Sequence, residues 1–243
     1  MIVRLLLTVG LLLGCAYRSH ASILVEFDFT GQPGDQASTL ASWTGPAVMA
    51  SPFRRGSGLD PRAGANSIGA QSWTTGDLID LNSDYFEFVI SPSAGATLDI
   101  DCIAFGEFRS ASGITEFTLR SSLDDFRSNV IDAPVTVPDD GSTRGHELAL
   151  GGAFDVIVSS VTFRLYGYRA ETANTSRWWI VDHPEIGVFR VSGTATPPEL
   201  GVVTPEPSAG LIWGLVAGGG GVYWGVRKWA RSIRRRFPSK RQK

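Results

Sequence analysis

Residues Ile23 to Phe29 read I-L-V-E-F-D-F. Ile23, Val25, Phe27 and Phe29 alternate with Leu24, Glu26 and Asp28, the period of two that turns one face of a strand toward a core. Similar runs, rich in β-branched and aromatic residues, return at Tyr85 to Ile90, Thr97 to Phe105, Thr115 to Arg120, Val161 to Tyr168, Trp178 to Val181 and Gly187 to Val191. Turn clusters separate them: Gly31 to Gly34, Ser91 to Gly95, Ser110 to Gly113, Asp139-Asp140-Gly141 and Gly151-Gly152. No stretch carries a convincing amphipathic helix. The pattern predicts an all-β chain, an antiparallel β-sandwich over residues 22–193. Its length, and the missing Cys–Trp–Cys spacing, favour a jelly roll over an immunoglobulin-like sandwich. Ser51 to Ser67 reads as a mobile loop, and residues 194–207 as an extended Pro-rich linker.

Charge is distributed unevenly. The chain has 22 basic and 24 acidic residues, which looks neutral. Yet all 24 acids lie between Ser22 and Val226 with only 11 basic residues, all Arg, a formal charge of −13. Such a stretch should avoid nucleic acid and resist clumping on an anionic surface. Cys15 and Cys102 are the two cysteines. If Cys15 is removed with a leader, no intrachain disulfide can form and the core alone must hold the fold. Cys102 alternates with Leu98 and Ile100, so it reads as a small buried hydrophobe.

The two ends speak of address. Residues 1–21 read as a signal peptide: Arg4, an apolar core from Leu5 to Ala16, and Ser19-His20-Ala21 as a cleavage site of the A-x-A kind, with the cut after Ala21. A rival reading is a lipoprotein box, Leu12-Leu13-Gly14-Cys15, with lipid on Cys15. At the other end, Ala209 to Val226 holds no charged residue. Eighteen residues in a helix would span ~27 Å, close to the hydrocarbon thickness of a bilayer. The expectation is a transmembrane helix over 208–226, with Trp213 near one interface and Tyr223, Trp224 and Trp229 near the other. Arg227, Lys228, Arg231, Arg234, Arg235 and Arg236 then act as a membrane stop and keep the 227–243 tail cytoplasmic.

Pro205, Glu206 and Pro207, followed by that glycine-rich apolar run and the Arg cluster, resemble the PEP-CTERM sorting signal of bacterial envelope proteins. The resemblance implies an exosortase-like membrane protease as partner. It also implies a membrane-anchored precursor passed on to the cell surface or exopolysaccharide matrix. An ordinary, uncut tail anchor is the alternative. The exported part is similar to a type recurrent among such proteins, through Tyr85-Phe86-Glu87-Phe88, Leu119-Arg120-Ser121-Ser122 with Asp124-Asp125-Phe126, Thr162 to Tyr168, and Trp179-Ile180-Val181-Asp182. That likeness implies a jelly roll and surface display, and no known activity. Where such chains continue from Trp-x-x-Asp into Asn and a short β-run, His183-Pro184-Glu185 intervenes here, so the last strand should be interrupted.

Catalytic signals are sparse. No G-x-S-x-G, H-E-x-x-H, paired C-x-x-C or phosphate-binding glycine loop is present. His146 and His183 are too few for a persuasive zinc site. Asp99 with Asp101, and Asp124 with Asp125, could serve glycoside hydrolysis only if paired across a groove, and each reads more simply as a solvated face. The chain therefore reads as a structural or interaction protein, not an enzyme. Two binding sites are candidates. If the first and last strands lie side by side, Glu26 or Asp28 could meet Asp182 or Glu185 around a structural calcium. Trp178, Trp179, Tyr166 and Tyr168 could form a glycan platform for surface polysaccharide. The two tryptophans are adjacent, so one should face the core and the other outward.

Overall fold

The computed structural model describes residues 22–198. The expected signal peptide, Cys15, the P-E-P motif, the apolar run and the basic cluster lie outside the described residues. Among the described residues no helix is long and apolar enough to cross a membrane.

The chain is all-β. The first strands are β1 (Ser22–Phe27), β2 (Pro33–Gly34), β3 (Ser38–Thr39), β4 (Trp43–Thr44), β5 (Val48–Ala50), β6 (Phe53–Arg55), β7 (Asp60–Arg62) and β8 (Ser67–Gln71). They are followed by β9 (Tyr85–Pro92), β10 (Thr97–Arg109), β11 (Glu116–Ser121), β12 (Val135–Thr136), β13 (Arg144–Ala149), β14 (Val161–Tyr168), β15 (Arg177–Val181) and β16 (Phe189–Thr196). One sheet, A, runs β2-β8-β15-β10-β16-β1-β4, with β13 on β10 and β7 on β8. The other, B, runs β12-β11-β14-β9-β6-β3, with β5 on β9. Among the described residues only the short β2–β8 pairing is parallel.

The sheets face each other across an aromatic core, which makes the fold a β-sandwich. Phe27 of sheet A meets Phe53 and Phe88 of sheet B at 5.5 and 5.7 Å between centroids. Trp178 of sheet A meets Phe117 and Phe86 of sheet B at 5.4 and 5.6 Å. The alternation that opens the chain is interrupted by one irregularity: the β1–β16 register shifts between Ile23 and Val25. The shift buries Leu24 beside Val25 and leaves Ile23 exposed.

The interrupted last strand is present. Strand β13 pairs with Cys102–Glu107 along one edge of β10, while β16 pairs with Thr97–Ala104 and β15 with Gly106–Arg109. A strand has two edges, so β15 and β16 follow each other along the same edge. The chain between them makes an excursion closed by mutual backbone hydrogen bonds between His183 and Gly187 (2.9 and 2.7 Å). Gly187 supplies the positive φ of 81°.

Three expectations need correction. Ser51–Ser67 is not a loop throughout: it holds β6 and β7 and opens β8. Phe53 sits at the core centre, and the Arg55 guanidinium donates to the backbone carbonyls of Gly69, Gln36 and Gly34, each at 2.6 Å. Residues 194–196 are strand, with Thr196 opposite Thr97, so the linker starts later than expected. Cys102 leaves the apolar row because the β10–β16 register shifts between Ile100 and Cys102. Leu98, Ile100 and Ile103 face the core, while Cys102 is half-buried, its thiol pushed up by burial.

Candidate functional site

The four aromatic residues expected to form a platform do not form one. Trp178 is wholly buried, packed on Trp73 at 5.3 Å, with its indole N–H donating to Glu107 Oε2 at 2.8 Å. Trp179 points the other way, as the alternation requires, but its ring is covered. A Cβ at Gly69 would come 2.2 Å from its Cδ1, and one at Gly64 2.5 Å from its Nε1. The two glycines therefore let backbone lie against the indole, whose N–H donates to Ala63 O at 3.2 Å. Phe108 flanks it at 5.4 Å beside an open cavity of about 350 Å³.

Tyr166 and Tyr168 do share the outer face of sheet B with Arg164, but the segment between β8 and β9 roofs that face. Tyr166 is buried and donates to Leu81 O at 3.2 Å. Tyr168 is nearly buried and donates to Glu116 Oε2 at 2.7 Å; burial, then that hydrogen bond, pushes its phenol up to about 12.

Beside Tyr168 the roof leaves an open hollow of about 380 Å³, lined also by Asp77, Leu78, Ile79, Leu81, Arg120 and Asn129. Its polar wall is held by hydrogen bonds from β11 to the loop that follows it. Arg120 on β11 donates from Nε to Asn129 Oδ1 at 3.0 Å and from Nη1 to Phe126 O at 2.9 Å. Neighbouring Arg164 lies between the rings of Tyr85 and Phe126, 4.0 and 4.1 Å from their centroids. Arg164 and Arg54 grip Glu87 at 2.7 and 2.6 Å from the two adjacent strands. Burial alone would raise the Glu87 carboxyl, but these hydrogen bonds outweigh it and hold it below its ordinary range. Arg169 bridges Asp77 and Glu116 at the rim. The arrangement offers apolar contact from Leu78, Ile79 and Leu81 next to fixed donors and acceptors, the mixture that binds small polar ligands.

The four acids proposed for calcium divide. Strands β1 and β16 are neighbours, as expected. Asp182 comes to Asp28 through a shared partner: Thr30 Oγ1 donates to Asp182 Oδ2 at 3.0 Å, and Thr30 N donates to Asp28 Oδ1 at 2.7 Å. Burial and Asp28 raise the Asp182 carboxyl, while hydrogen bonds from Thr30 lower that of Asp28. Glu26 instead stands opposite Arg190, and Glu185 lies in the excursion, where its N–H donates to His183 Nδ1 at 3.2 Å. Among the described residues no group of three or more His, Cys, Asp or Glu is arranged to hold a metal ion. Of the expected meetings, Asp28 with Asp182 is formed, while Glu26 and Glu185 do not complete a cluster of three with them.

No family model matches the chain, and no curated protein matches it. Two of the solved structures with a slight likeness are as follows. One is the arabinose-bound MgGH51 α-L-arabinofuranosidase, at 14% identity and a TM-score of 0.38, covering 72% of this chain and 26% of that one. The chain thus spans about a quarter of that enzyme's length. The other is the K1 cleaved adhesin domain of Lys-gingipain from Porphyromonas gingivalis W83, at 12% identity and a TM-score of 0.30, covering 63% of this chain and 93% of that one. Neither likeness is close enough to carry an argument about activity.

The remaining sequence candidates stay apart. His146 points inward against Phe105 and Phe117, whereas His183 packs over Gly145 on the other face of sheet A. His183 Nδ1 accepts from the backbone N–H groups of Glu185 and Ile186, so it serves the turn. Asp124 accepts from the N–H groups of Arg127 and Ser128 and serves its own loop. Asp99 is raised by burial, then by Asp101 and Asp155. Two features escaped the sequence reading: the hollow, whose wall joins four separated segments, and Trp43. The latter carried a signal, an aromatic residue set between the turn-forming residues of S-W-T-G.

Proposed function

We propose that this chain is an exported structural or interaction protein of the cell surface or exopolysaccharide matrix, delivered by its C-terminal sorting signal, and not an enzyme. The observation that carries the reading is the order Pro205-Glu206-Pro207, apolar run 209–226, Arg cluster. One structural fact supports it: β16 ends at Thr196, ahead of the motif. Pairing of the first and last strands fits a jelly roll, the finer fold we assign to the sandwich. The partner is an exosortase-like membrane protease, and residues 208–226 anchor the precursor as a transmembrane helix.

Prolines on both sides of Glu206 remove backbone donors and fix φ, which presents the carboxylate in extended chain. Glu206→Ala should leave export and folding intact and block processing, so that protein accumulates in the membrane with its tail. Wild-type processing in that variant would refute the sorting reading in favour of a plain anchor.

A second reading, a carbohydrate-binding module, is favoured by the hollow beside Tyr168, where Asp77, Arg120 and Asn129 meet apolar walls. It predicts saturable binding to at least one polysaccharide, weakened by Asn129→Ala. No binding across a broad panel would overturn it.

A further inference from the structure

Among the described residues Trp43 is the one exposed aromatic side chain, at 42%. It lies on β4, the edge strand of sheet A beside β1. Register places Trp43 opposite Glu26, and Glu26 opposite Arg190. Directly opposed residues share a face, and Phe27, Phe189 and Val191 alternate inward, so the three side chains form one row on the outer face of the sheet.

The indole has backbone beneath it. A Cβ at Gly45 would come 3.2 Å from Cη2 and 3.5 Å from Cζ3 of Trp43, and 3.2 Å from Ile23 O. The ring is therefore laid back along its own strand over a residue without a side chain. Across from it, the Glu26 carboxylate makes no hydrogen bond or ion pair among the described residues, so its acceptor oxygens are free. Arg190 is already engaged, donating to Ile186 O at 2.6 Å and to Glu147 at 3.3 Å.

We propose that Trp43 and Glu26 form a binding subsite for a neutral pyranose unit of a polysaccharide, the sugar's C–H face on the indole and a hydroxyl donating to Glu26. A pyranose matches both halves of the pair, an apolar ring face edged by hydroxyl donors. Charge selects the neutral class. Residues 22–198 carry 22 acids against 11 arginines, a formal charge of −11, and the free group in the subsite is itself an anion. An acidic polysaccharide would be repelled. The proposal rests on the carbohydrate reading above and adds a site and a sugar class to it.

The test is affinity electrophoresis of the full chain in detergent, in gels carrying neutral β-glucan, mannan or galactan, with alginate as the anionic comparison. At least one neutral polymer should retard the wild type, and alginate should not. Trp43→Ala should weaken binding by about tenfold or more, Trp43→Tyr should keep part of it, and Glu26→Gln should weaken it less than Trp43→Ala. Both sites are exposed or half-exposed, so unchanged melting temperatures should show that folding is preserved. Full binding in Trp43→Ala with loss in Asn129→Ala would overturn this subsite and leave the carbohydrate reading standing. No retardation by any polymer would remove both. A wild-type dimer in solution that Trp43→Ala dissociates would overturn the subsite by showing that a second copy covers this face.

Discussion

Phe53→Ala is the substitution on which the fold account is most exposed, because Phe53 lies in the stretch that reads as a loop. Its side chain is 0% exposed. Five phenylalanine rings surround it: Phe189 at 5.0 Å, Phe27 at 5.5 Å, Phe29 at 5.7 Å, Phe86 at 5.8 Å and Phe88 at 5.9 Å between centroids. Removing a buried Phe costs about 3–5 kcal/mol through lost transfer energy and the cavity left behind. Aromatic pairs add about 0.5–1.5 kcal/mol each beyond their area. Rings drawn from both sheets cannot all close on the void, which puts the expected loss at the upper end, about 4–5 kcal/mol. For a domain of this size that corresponds to a fall in Tm of about 8–20 °C. Urea unfolding followed by tryptophan fluorescence should show a lowered midpoint with an unchanged slope, the sign of a stability change without a change in compactness. A loss below about 1.5 kcal/mol would refute the reasoning, since it is what a partly exposed loop residue would give.

Glu107→Ala leaves the Trp178 indole N–H without its acceptor and the Arg144 guanidinium with Asp140 as its one remaining carboxylate partner, where the two now bond Glu107 at 2.8 and 2.7 Å, and should cost about 3–5 kcal/mol. Arg190→Ala breaks a half-exposed pair at 3.3 Å and a hydrogen bond to Ile186 O at 2.6 Å, and should cost about 1–2 kcal/mol; equal losses in urea unfolding would contradict the network. For Asp182, whose carboxyl is raised in the fold, the favourable protonated state is present below the ordinary carboxylate range and lost as pH rises through the raised value. Asp182→Asn should therefore raise Tm at pH 7, its amide facing Asp28, and lose that advantage in acid. A lower Tm in calcium, matched by a chelator effect on the wild type, would show instead that the pair holds an ion.

The sequence marked the long strands well because their inward residues are large and periodic. Val161–Tyr168 begins and ends where its alternation does, and Trp178 and Trp179 divide between core and outer face as adjacent strand residues must. It failed where one residue breaks the period: the shifts beside Ile23 and Cys102 reverse which side chains are buried, and nothing local announces a bulge. Short strands such as Phe53–Arg55 were hidden because the three residues F-R-R show no alternation, while the pairing that makes them strand comes from Phe86 and Glu87 far along the chain. The platform was misplaced for a related reason. Strand pattern tells which face a tyrosine takes, but only the roof over sheet B, through Leu81, tells that the face is covered.

The most direct test of the sorting account is the intact mass of the surface-associated protein from its native host. The account predicts a chain that begins at Ser22 and has lost the Arg227 to Lys243 end, with Glu206→Ala retaining that end. A surface form that still carries Arg227 to Lys243 would contradict it.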